Sequence, residues 1–543
     1  MRLASTRLLR TMGLVIAAAT LAALAACSRG DDDAVAAGAA DAHAFTILAG
    51  SELKDVDTAL GERIRSATGV NVRFAYAGTL DAIDRLGAGE AFDAVWVSHG
   101  KYLAMNPALK PRIQAQDKIM LSPVILGVKA SKAAELGWDK ADPTWKDIAD
   151  AASSGRFTFG MANPTSSNTG FTALIGIAAA LAANPDALTE ADVANPALKA
   201  FFQGQRMTAG SSGWLADAYV ADPGKVDGLI NYESVILSLD AGGKLAEPLV
   251  PVYPKEGIVT ADYPLMLLDA AKRADYDKLV AYLRSPDFQT TLSATTLRRP
   301  VNPDATVASA IPKRTLIELP FPGQPQVING LLDAFLADVR IPGSSRYVLD
   351  LSGSMGDDQR LDQLKAAMAT LAGNTGDTGD SLASRYARFQ NRERIGLVPF
   401  SSAPMNTLAF DMGDTPERNR QTLAEIRAAV APMDARGGTA IYDSVARALG
   451  ELAGEKRAES SPRYYTVVLM TDGENTNGMS LRQFLAWHRQ QDETLRSIRV
   501  FPIVFGDADA GEMGQLATAT GGRAFDAKAK SLAQVFKEIR GYQ

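Results

Sequence analysis

The chain has 543 residues, of which 46% are hydrophobic and 22% charged, and this composition excludes a disordered or collagen-like polymer. Its 56 Lys and Arg residues against 62 Asp and Glu residues give a formal net charge of -6, so no basic surplus points to nucleic acid or to an anionic membrane surface. One Cys and three His residues exclude an intramolecular disulfide and a Cys/His zinc cage, so any metal site must use oxygen ligands.

The first 26 residues predict an export signal. Arg2, Arg7 and Arg10 precede the apolar run 13–26, which is too short to span a bilayer. The run ends in Leu-Ala-Ala followed by Cys27, a sequence that resembles the lipobox of bacterial lipoproteins. That resemblance implies that Cys27 becomes the acylated N-terminus of an extracytoplasmic protein, anchored to a bacterial membrane in the periplasm or at the cell surface. An ordinary signal peptide with an incidental cysteine is the alternative.

Residues 27–43 predict a flexible tether, because small and acidic residues dominate there and too few apolar residues remain to fold. Residues 44–300 alternate short strand-like runs with helical ones, which predicts parallel sheets covered by helices. This organisation resembles the type 2 periplasmic solute-binding proteins, and the resemblance implies two α/β lobes joined by crossing strands near 120–128 and 250–267. The predicted strands of this block are 45–48, 70–76, 94–97, 124–128, 157–161 and 228–232.

Strand-to-helix turns rich in Ser and Thr predict an anion site between the lobes. Free backbone N–H groups at a helix start, together with hydroxyl groups, can hold a phosphate, sulfate or carboxylate. A small anion or acid is therefore the favoured solute, although each residue is also an ordinary helix cap. Glu233 leaves a cationic or amine-bearing solute open if it faces the cleft, and Trp96 and Trp214 are expected in the core or the cleft wall. The candidate ligand residues are Ser51, Thr79, Ser98, Ser166, Ser167, Thr169 and Tyr232.

A connector at residues 301–343 separates this block from the last one. It contains six prolines, yet 327–339 has apolar residues at helical spacing, so we expect a boundary segment that packs against its neighbours. Residues 344–543 alternate strands and helices again. Pro502 lies inside a predicted strand at 500–505, which indicates an imperfect neighbouring strand, because proline cannot donate to a sheet.

Three short motifs follow predicted strands or open helices in the last block. Asp350, Ser352 and Ser354 form a DxSxS turn, Thr439 ends a Gly-Gly-Thr turn, and Asp472 begins an Asp-Gly turn. In an open α/β sheet, loops at the carboxyl ends of strands meet even when they are distant in sequence. The combination resembles the von Willebrand factor A domain with its metal-ion-dependent adhesion site. This resemblance implies a doubly wound, mostly parallel, Rossmann-like sheet.

The same resemblance implies that these five residues bind Mg²⁺ or another divalent cation such as Mn²⁺ or Ca²⁺. It also implies an open coordination position that accepts an Asp or Glu from a partner protein. Local turn chemistry is the alternative explanation for an isolated DxSxS motif. No His, Cys or Lys lies close by in sequence to act as a base or nucleophile, so we expect no catalytic residues and no enzyme activity.

Together these features predict a membrane-anchored extracytoplasmic binding protein of α/β fold. It would hold a small solute in the interlobe cleft and an acidic protein partner at the divalent-cation site. One alternative is the substrate-binding component of an ABC-type importer whose C-terminal domain docks it to partner proteins, and another is a metal-dependent hydrolase. Coupling between the two domains is a hypothesis that rests only on their sharing one chain.

Overall fold

The computed structural model describes residues 44–182, 184, 188–373, 382–506, 508–527 and 532–542. The predicted signal peptide at 1–26 and the predicted tether at 27–43, with Cys27, lie outside these residues. The described strands form three sheets. Two of the sheets belong to the first block, and the third belongs to the last block. Together the fold is mixed α/β, as predicted.

The first sheet has the strand order β2-β1-β3-β11-β4. Its strands are β1 (Phe45–Gly50), β2 (Val72–Ala77), β3 (Ala94–Trp96), β4 (Ala115–Lys118) and β11 (Pro264–Leu267). The first three are mutually parallel, whereas β11 is antiparallel to both β3 and β4. Its helices are α1 (Lys54–Thr68), α2 (Thr79–Gly87), α3 (Gly100–Met105), α10 (Arg273–Leu283) and α11 (Pro286–Thr296). We call residues 44–118 and 264–296 lobe one.

The second sheet has the strand order β10-β5-β8-β6-β7, and β9 and β12 also pair with β5. Its strands are β5 (Met120–Lys129), β6 (Phe159–Ala162), β7 (Gln205–Ala209), β8 (Gly228–Tyr232), β9 (Leu249–Val252), β10 (Thr260–Ala261) and β12 (Arg299–Pro300). Its helices are α4 (Ala130–Leu136), α5 (Trp145–Ser153), α6 (Asn168–Leu181), α7 (Pro196–Phe202), α8 (Ser212–Ala221) and α9 (Glu233–Ala241). We call residues 120–261 lobe two.

The chain passes between these two sheets at residue 119 and again at 262–263. Both passages lie at or inside the segments that were expected to cross. A third passage at 297–298, between α11 and β12, was not expected.

The third sheet has the strand order β15-β14-β13-β16-β17-β18, and only β15 runs antiparallel to its neighbour. Its strands are β13 (Gly343–Asp350), β14 (Arg394–Phe400), β15 (Leu408–Asp411), β16 (Tyr464–Thr471), β17 (Arg499–Val504) and β18 (Phe525–Asp526). Its helices are α13 (Arg360–Leu371), α14 (Leu382–Ala387), α15 (Pro416–Val430), α16 (Ile441–Ala458), α17 (Leu481–Arg489), α18 (Glu493–Arg496), α19 (Ala510–Ala519) and α20 (Leu532–Arg540).

Pro502 lies in β17, as the sequence predicted, and faces Leu469 of β16. The neighbour on its other side, β18, pairs only with Ile503 and Val504. Pro502 therefore does not pair with β18. On that side its missing N–H group, which cannot donate a hydrogen bond to a neighbouring strand, is not required. The expectation of an imperfect neighbour is confirmed.

The connector is part of the folded body. It ends in helix α12 (Pro325–Ala334), which continues into a π-helical turn at Phe335–Val339. Val327, Ile328 and Leu331 of this helix are buried, and Phe335 contacts Phe202 of lobe two with ring centroids 5.2 Å apart. The predicted helix and its packing are therefore confirmed. None of the described helices has the length and apolarity to cross a membrane.

Candidate functional site

The DxSxS turn begins where β13 ends. Asp350 is fully buried, and its Oδ1 accepts a hydrogen bond from the backbone N of Ser352 at 2.8 Å. The Thr471 hydroxyl, at the end of the adjacent strand β16, donates to Asp350 Oδ2 at 2.7 Å. Burial away from water raises the pKa of Asp350 to about 6. The two hydrogen bonds fix the carboxylate at the edge where the strands end.

Two hydroxyl groups and a second carboxylate meet beside Asp350. The Oγ atoms of Ser352 and Ser354 are 3.2 Å apart, and Ser354 Oγ donates to Asp472 Oδ1 at 3.0 Å. Asp472 directly follows β16 and is fully buried. Because β13 and β16 are paired and parallel, residues 118 positions apart are brought into contact.

The Gly-Gly-Thr turn lies against the DxSxS turn. The backbone N of Gly353 donates to the carbonyl of Gly437 at 3.0 Å. Gly437 has a φ of +80°, a conformation that favours glycine. Thr439 is buried, and its backbone N donates to Thr476 Oγ1 at 2.8 Å. All three predicted motifs therefore gather at one edge of the third sheet.

Sequence reasoning missed one charged member of this cluster. Arg360, at the start of α13, places its Nη1 atom 2.9 Å from Asp472 Oδ2 and its Nη2 atom 3.2 Å from Asp358 Oδ2. Its side chain is only 12% exposed. Two buried carboxylates and one guanidinium leave the cluster with a formal charge of -1. In sequence, nothing distinguishes Arg360 from an ordinary surface arginine at a helix start.

The donor set fits a hard divalent cation. Mg²⁺ and Ca²⁺ bind oxygen ligands, and the candidate ligands in this cluster are carboxylate and hydroxyl oxygens, beside the one guanidinium of Arg360. In the described parts of the chain, no group of three or more His, Cys, Asp or Glu side chains has the arrangement of a metal site. The fit therefore depends on the hydroxyl groups. Around the cluster, Asp357, Glu474 and Asn477 are exposed, so a large partner can approach it.

A second polar cluster joins the two lobes. Thr79 Oγ1 of lobe one donates to Asn168 Oδ1 of lobe two at 2.6 Å. Asn168 Nδ2 in turn donates to both carboxylate oxygens of Glu52 in lobe one, each at 3.0 Å. The Tyr232 hydroxyl of lobe two donates to Glu52 Oε1 at 3.3 Å. Burial raises the pKa of Glu52 above its ordinary value. The cleft is therefore closed, with a carboxylate of the chain itself inside it.

The predicted ligand residues fall into two groups in the cleft. Thr79, Ser166 and Ser167 line a small crevice with room for no more than a water-sized group. Ser166 Oγ donates to the carbonyl of Gly210 at 3.2 Å, and Ser167 caps α6. Ser167 therefore has the helix-capping role that the sequence left open, whereas Ser166 bonds a loop carbonyl, a role that was not expected.

The remaining candidates lie deeper, around Glu52. Ser51 precedes Glu52 in a 3-10 turn. Tyr232 is fully buried, and the hydroxyl groups of Ser98 and Thr169 are buried without a well-formed hydrogen bond among the described residues. Both hydroxyl groups lie beside the Tyr232 hydroxyl, and buried hydroxyl groups with incomplete hydrogen bonding cost free energy, so this deeper group is the part of the cleft suited to hydrogen-bond a ligand.

The structure also settles the positions of Glu233, Trp214 and Trp96, and Trp96 takes the core position that was one of its two expected places. Glu233 is fully buried and bound to Arg299 at 2.7 and 2.8 Å, so its charge is neutralised within the fold. Trp214 does not line the cleft, because its ring stacks on Tyr542 of the last block. Trp96 is a core residue whose indole N–H donates to the carbonyl of Tyr263. The carboxylate that reaches the cleft is Glu52, which the sequence analysis missed although it follows Ser51 directly.

Comparisons with known proteins match these two regions separately. Residues 45–296 match the family model described as bacterial extracellular solute-binding protein. Residues 347–474 match the family model of the von Willebrand factor type A domain. No curated protein matches the chain.

Among solved structures, the periplasmic binding protein AfuA from Actinobacillus pleuropneumoniae is 17% identical, with a TM-score of 0.42, over 55% of this chain and 98% of that chain. The ferric binding protein from Campylobacter jejuni is 14% identical, with a TM-score of 0.40, over 53% of this chain and 96% of that chain. A von Willebrand factor type A protein from Catenulispora acidiphila is 17% identical, with a TM-score of 0.28, over 37% of this chain and 43% of that chain.

The two family matches occur in the order that the sequence predicted, and the described sheets agree with both of them. The chain therefore combines an extracellular solute-binding-protein domain with a von Willebrand factor A (VWA) domain.

Proposed function

We propose that this protein is a membrane-anchored extracytoplasmic receptor that binds a small solute between its lobes and an acidic protein partner through a divalent cation at the VWA sheet edge. The observation that carries the proposal is the contact of Ser352, Ser354 and Asp472, with hydroxyl and carboxylate oxygens 3.0 to 3.2 Å apart. These oxygens come from turns that the sheet brings together, and exposed loops surround them.

At the sheet edge, Ser352, Ser354 and Thr439 would hold the cation, with Asp350 and Asp472 binding it directly or through water. When bound, the ion supplies a positive charge to which a partner carboxylate can attach. Asp350 accepts its hydrogen bond from Thr471 and so keeps the DxSxS turn fixed. Arg360 neutralises one carboxylate and thereby limits the negative charge of the cluster.

Isothermal titration of the full-length protein with MgCl₂ tests the cation site. We expect one site in the wild type and a loss of measurable heat in Ser354→Ala, because this hydroxyl lies between Ser352 and Asp472. Ser480→Ala is the matched control, since Ser480 caps α17 in the same domain. Equal Mg²⁺ affinity in wild type and Ser354→Ala would contradict the proposed site.

For the solute, we propose a molecule that offers a positive charge or several N–H or O–H donors, rather than the anion favoured from the sequence. The support is Glu52, whose carboxylate occupies the closed cleft among Asn168 and Tyr232. An anion beside this group would be repelled, whereas an amine would be paired with it. Mass spectrometry of small molecules that copurify with the full-length protein tests the class. An amine or polyol supports it, and a phosphate or a carboxylic acid contradicts it.

Anchoring and domain limits are further parts of the proposal. We propose that residues 1–26 are removed, that Cys27 is acylated, and that 27–43 tether the domains 44–300 and 344–543 with the connector 301–343 between them. An extracytoplasmic location agrees with the solute-binding family that matches the first domain. Metabolic labelling with a fatty acid should mark the wild type and leave Cys27→Ala unlabelled. Labelling of the variant would contradict the lipid anchor.

A further inference from the structure

The end of the VWA domain is docked on lobe two. Asn163 Nδ2 donates to the carbonyl of Arg540 at 3.3 Å, and Thr208 Oγ1 donates to the carbonyl of Gly541 at 3.4 Å. The ring of Tyr542 stacks on Trp214, with centroids 5.8 Å apart and planes 21° from parallel. These contacts fix the last described residues of the chain to the loop before α6, to β7 and to α8.

Gly541 lies so close to lobe two that no larger side chain fits at this position. A Cβ atom on Gly541 would lie 2.5 Å from the Cα atom of Gly210 and 2.9 Å from Ser166 Oγ. The first of these is a backbone atom that cannot move aside alone. Ser166 also lines the crevice between the lobes, so the VWA domain ends directly behind the cleft.

The VWA domain also contacts lobe one. Helix α14 packs against α2, the helix that begins with Thr79. Tyr386 of α14 is 4% exposed and belongs to the same apolar core as the lobes. Next to this contact, the Tyr102 hydroxyl of lobe one donates to Asn329 Oδ1 of the connector at 2.6 Å.

The connector adds a contact that reaches both lobes at once. The ring of Phe321 lies 4.5 Å from the His99 ring of lobe one and 6.3 Å from the Phe171 ring of lobe two, measured between centroids. The Lys101 ammonium group of lobe one lies 5.7 Å from the centroid of the Phe321 ring. One aromatic side chain of the connector therefore contacts both lobes, beside the crossing segment at 262–263.

These contacts restrict how the cleft can open. Opening rotates lobe one away from lobe two about the three crossing segments at 119, 262–263 and 297–298, as hinge closure does in two-lobed binding proteins. A VWA domain that moves as one body cannot follow both lobes at the same time. Either α14 leaves α2, or the VWA residues that contact lobe two leave it before the lobes can separate. Besides the C-terminal residues, these include Tyr464, which bonds the Gln205 carbonyl, and Phe525, which contacts Trp214.

We infer that the VWA domain and the connector form a brace that holds the solute cleft closed, and that solute entry requires release of this brace from one lobe. The inference rests on the proposed solute-binding function for its purpose, although the brace itself is a property of the chain without solute. The direct hydrogen bonds between the lobes run from Thr79 to Asn168 and from Asn168 to Glu52, and they are made in the same closed arrangement that the brace holds.

The interlobe distance of the full-length protein tests the brace. Spin labels are placed on Ala67→Cys of α1 and Ala134→Cys of α4, two exposed alanines on opposite lobes, in a Cys27→Ala background. Pulsed electron spin resonance without solute then gives the distance distribution. We expect a single narrow distance in this parent protein.

Gly541→Val removes the docking contact by steric conflict. We expect it to raise the population with a longer interlobe distance by about tenfold or more. Gly514→Val is the matched control, because Gly514 lies on α19 of the same domain with open space at its Cβ position. It should reproduce the parent distribution. Phe321→Ala removes the contact of the connector with both lobes and should also add a longer interlobe distance. Circular dichroism shows whether each variant is folded.

A broad distribution in the parent would overturn the brace, and so would folded Gly541→Val and Phe321→Ala proteins that both keep the parent distance. Because no solute is added, these outcomes are separate from failure of the proposed function. A protein that shows the expected distances but never binds a small molecule would retain the brace and lose the receptor role.

Discussion

Arg360 allows a sharp test of the cation site, because its charge opposes that of a bound metal ion. Its guanidinium lies 2.9 Å from an oxygen of the fully buried Asp472. Two unit charges 4 Å apart interact with about 4 kcal/mol at an effective dielectric constant of about 20. Partial exposure of the guanidinium and its desolvation reduce the net value to about 1.4 to 2 kcal/mol. Arg360→Gln should therefore tighten Mg²⁺ binding about tenfold to thirtyfold.

The assay is titration of Mg²⁺ into the full-length wild type, Arg360→Gln and Arg420→Gln. Arg420 makes an exposed ion pair with Glu417 on α15, so its substitution changes the net charge equally at a place where solvent screens it. We expect no change in Mg²⁺ affinity for this control. Equal tightening in both variants would show a general charge effect and refute the local competition. Weaker binding in Arg360→Gln would show that Arg360 positions Asp472 for the ion and would also refute it.

Three further predictions concern both domains. Ser352→Ala combined with Ser354→Ala should abolish Mg²⁺-dependent capture of an acidic partner, and equal capture in chelator and in Mg²⁺ would contradict this. Glu233→Gln should lower the free energy of unfolding by about 1 to 3 kcal/mol in denaturant titration, because it leaves the half-buried Arg299 without its partner charge. Glu52→Gln should raise the thermal midpoint at pH 7 but not at pH 4. Burial raises the pKa of Glu52 in the fold, so the wild type loses stability as the pH rises above the pKa of the unfolded carboxyl group, and this loss is absent in the variant.

The cluster at the third sheet was predictable because each motif is local. The oxygens of Asp350, Ser352 and Ser354 lie on one turn, and the order of parallel strands brings Asp472 beside them. Arg360 was not predictable in the same way. A helix-start arginine next to acidic residues is typical of an exposed surface, and only the structure shows that it turns inward.

The cleft was harder to predict because its contacts cross between lobes. Glu52 and Asn168 are 116 residues apart and meet only when the lobes are closed. In the sequence, Ser166 and Ser167 are candidates for anion binding and for helix capping alike, and in the structure their hydroxyl groups bond the Gly210 carbonyl and cap α6. A sequence pattern reports which residues can bind a ligand, whereas the domain arrangement decides which of them face one.

The brace and the cation cluster use different parts of the VWA domain. The brace uses α14 and the residues after α20, whereas the cluster uses the carboxyl ends of β13 and β16. Within the described residues, no hydrogen bond or ring contact joins Ser352, Ser354 or Asp472 to either lobe, and Asp357 and Glu474 beside them are exposed. A partner bound at the sheet edge, as proposed, would therefore leave the cleft closed. Coupling between the two sites can pass through helices α13, α14 and α20, which pack against one another, and also through β16, whose Tyr464 hydroxyl donates to the carbonyl of Gln205 in lobe two.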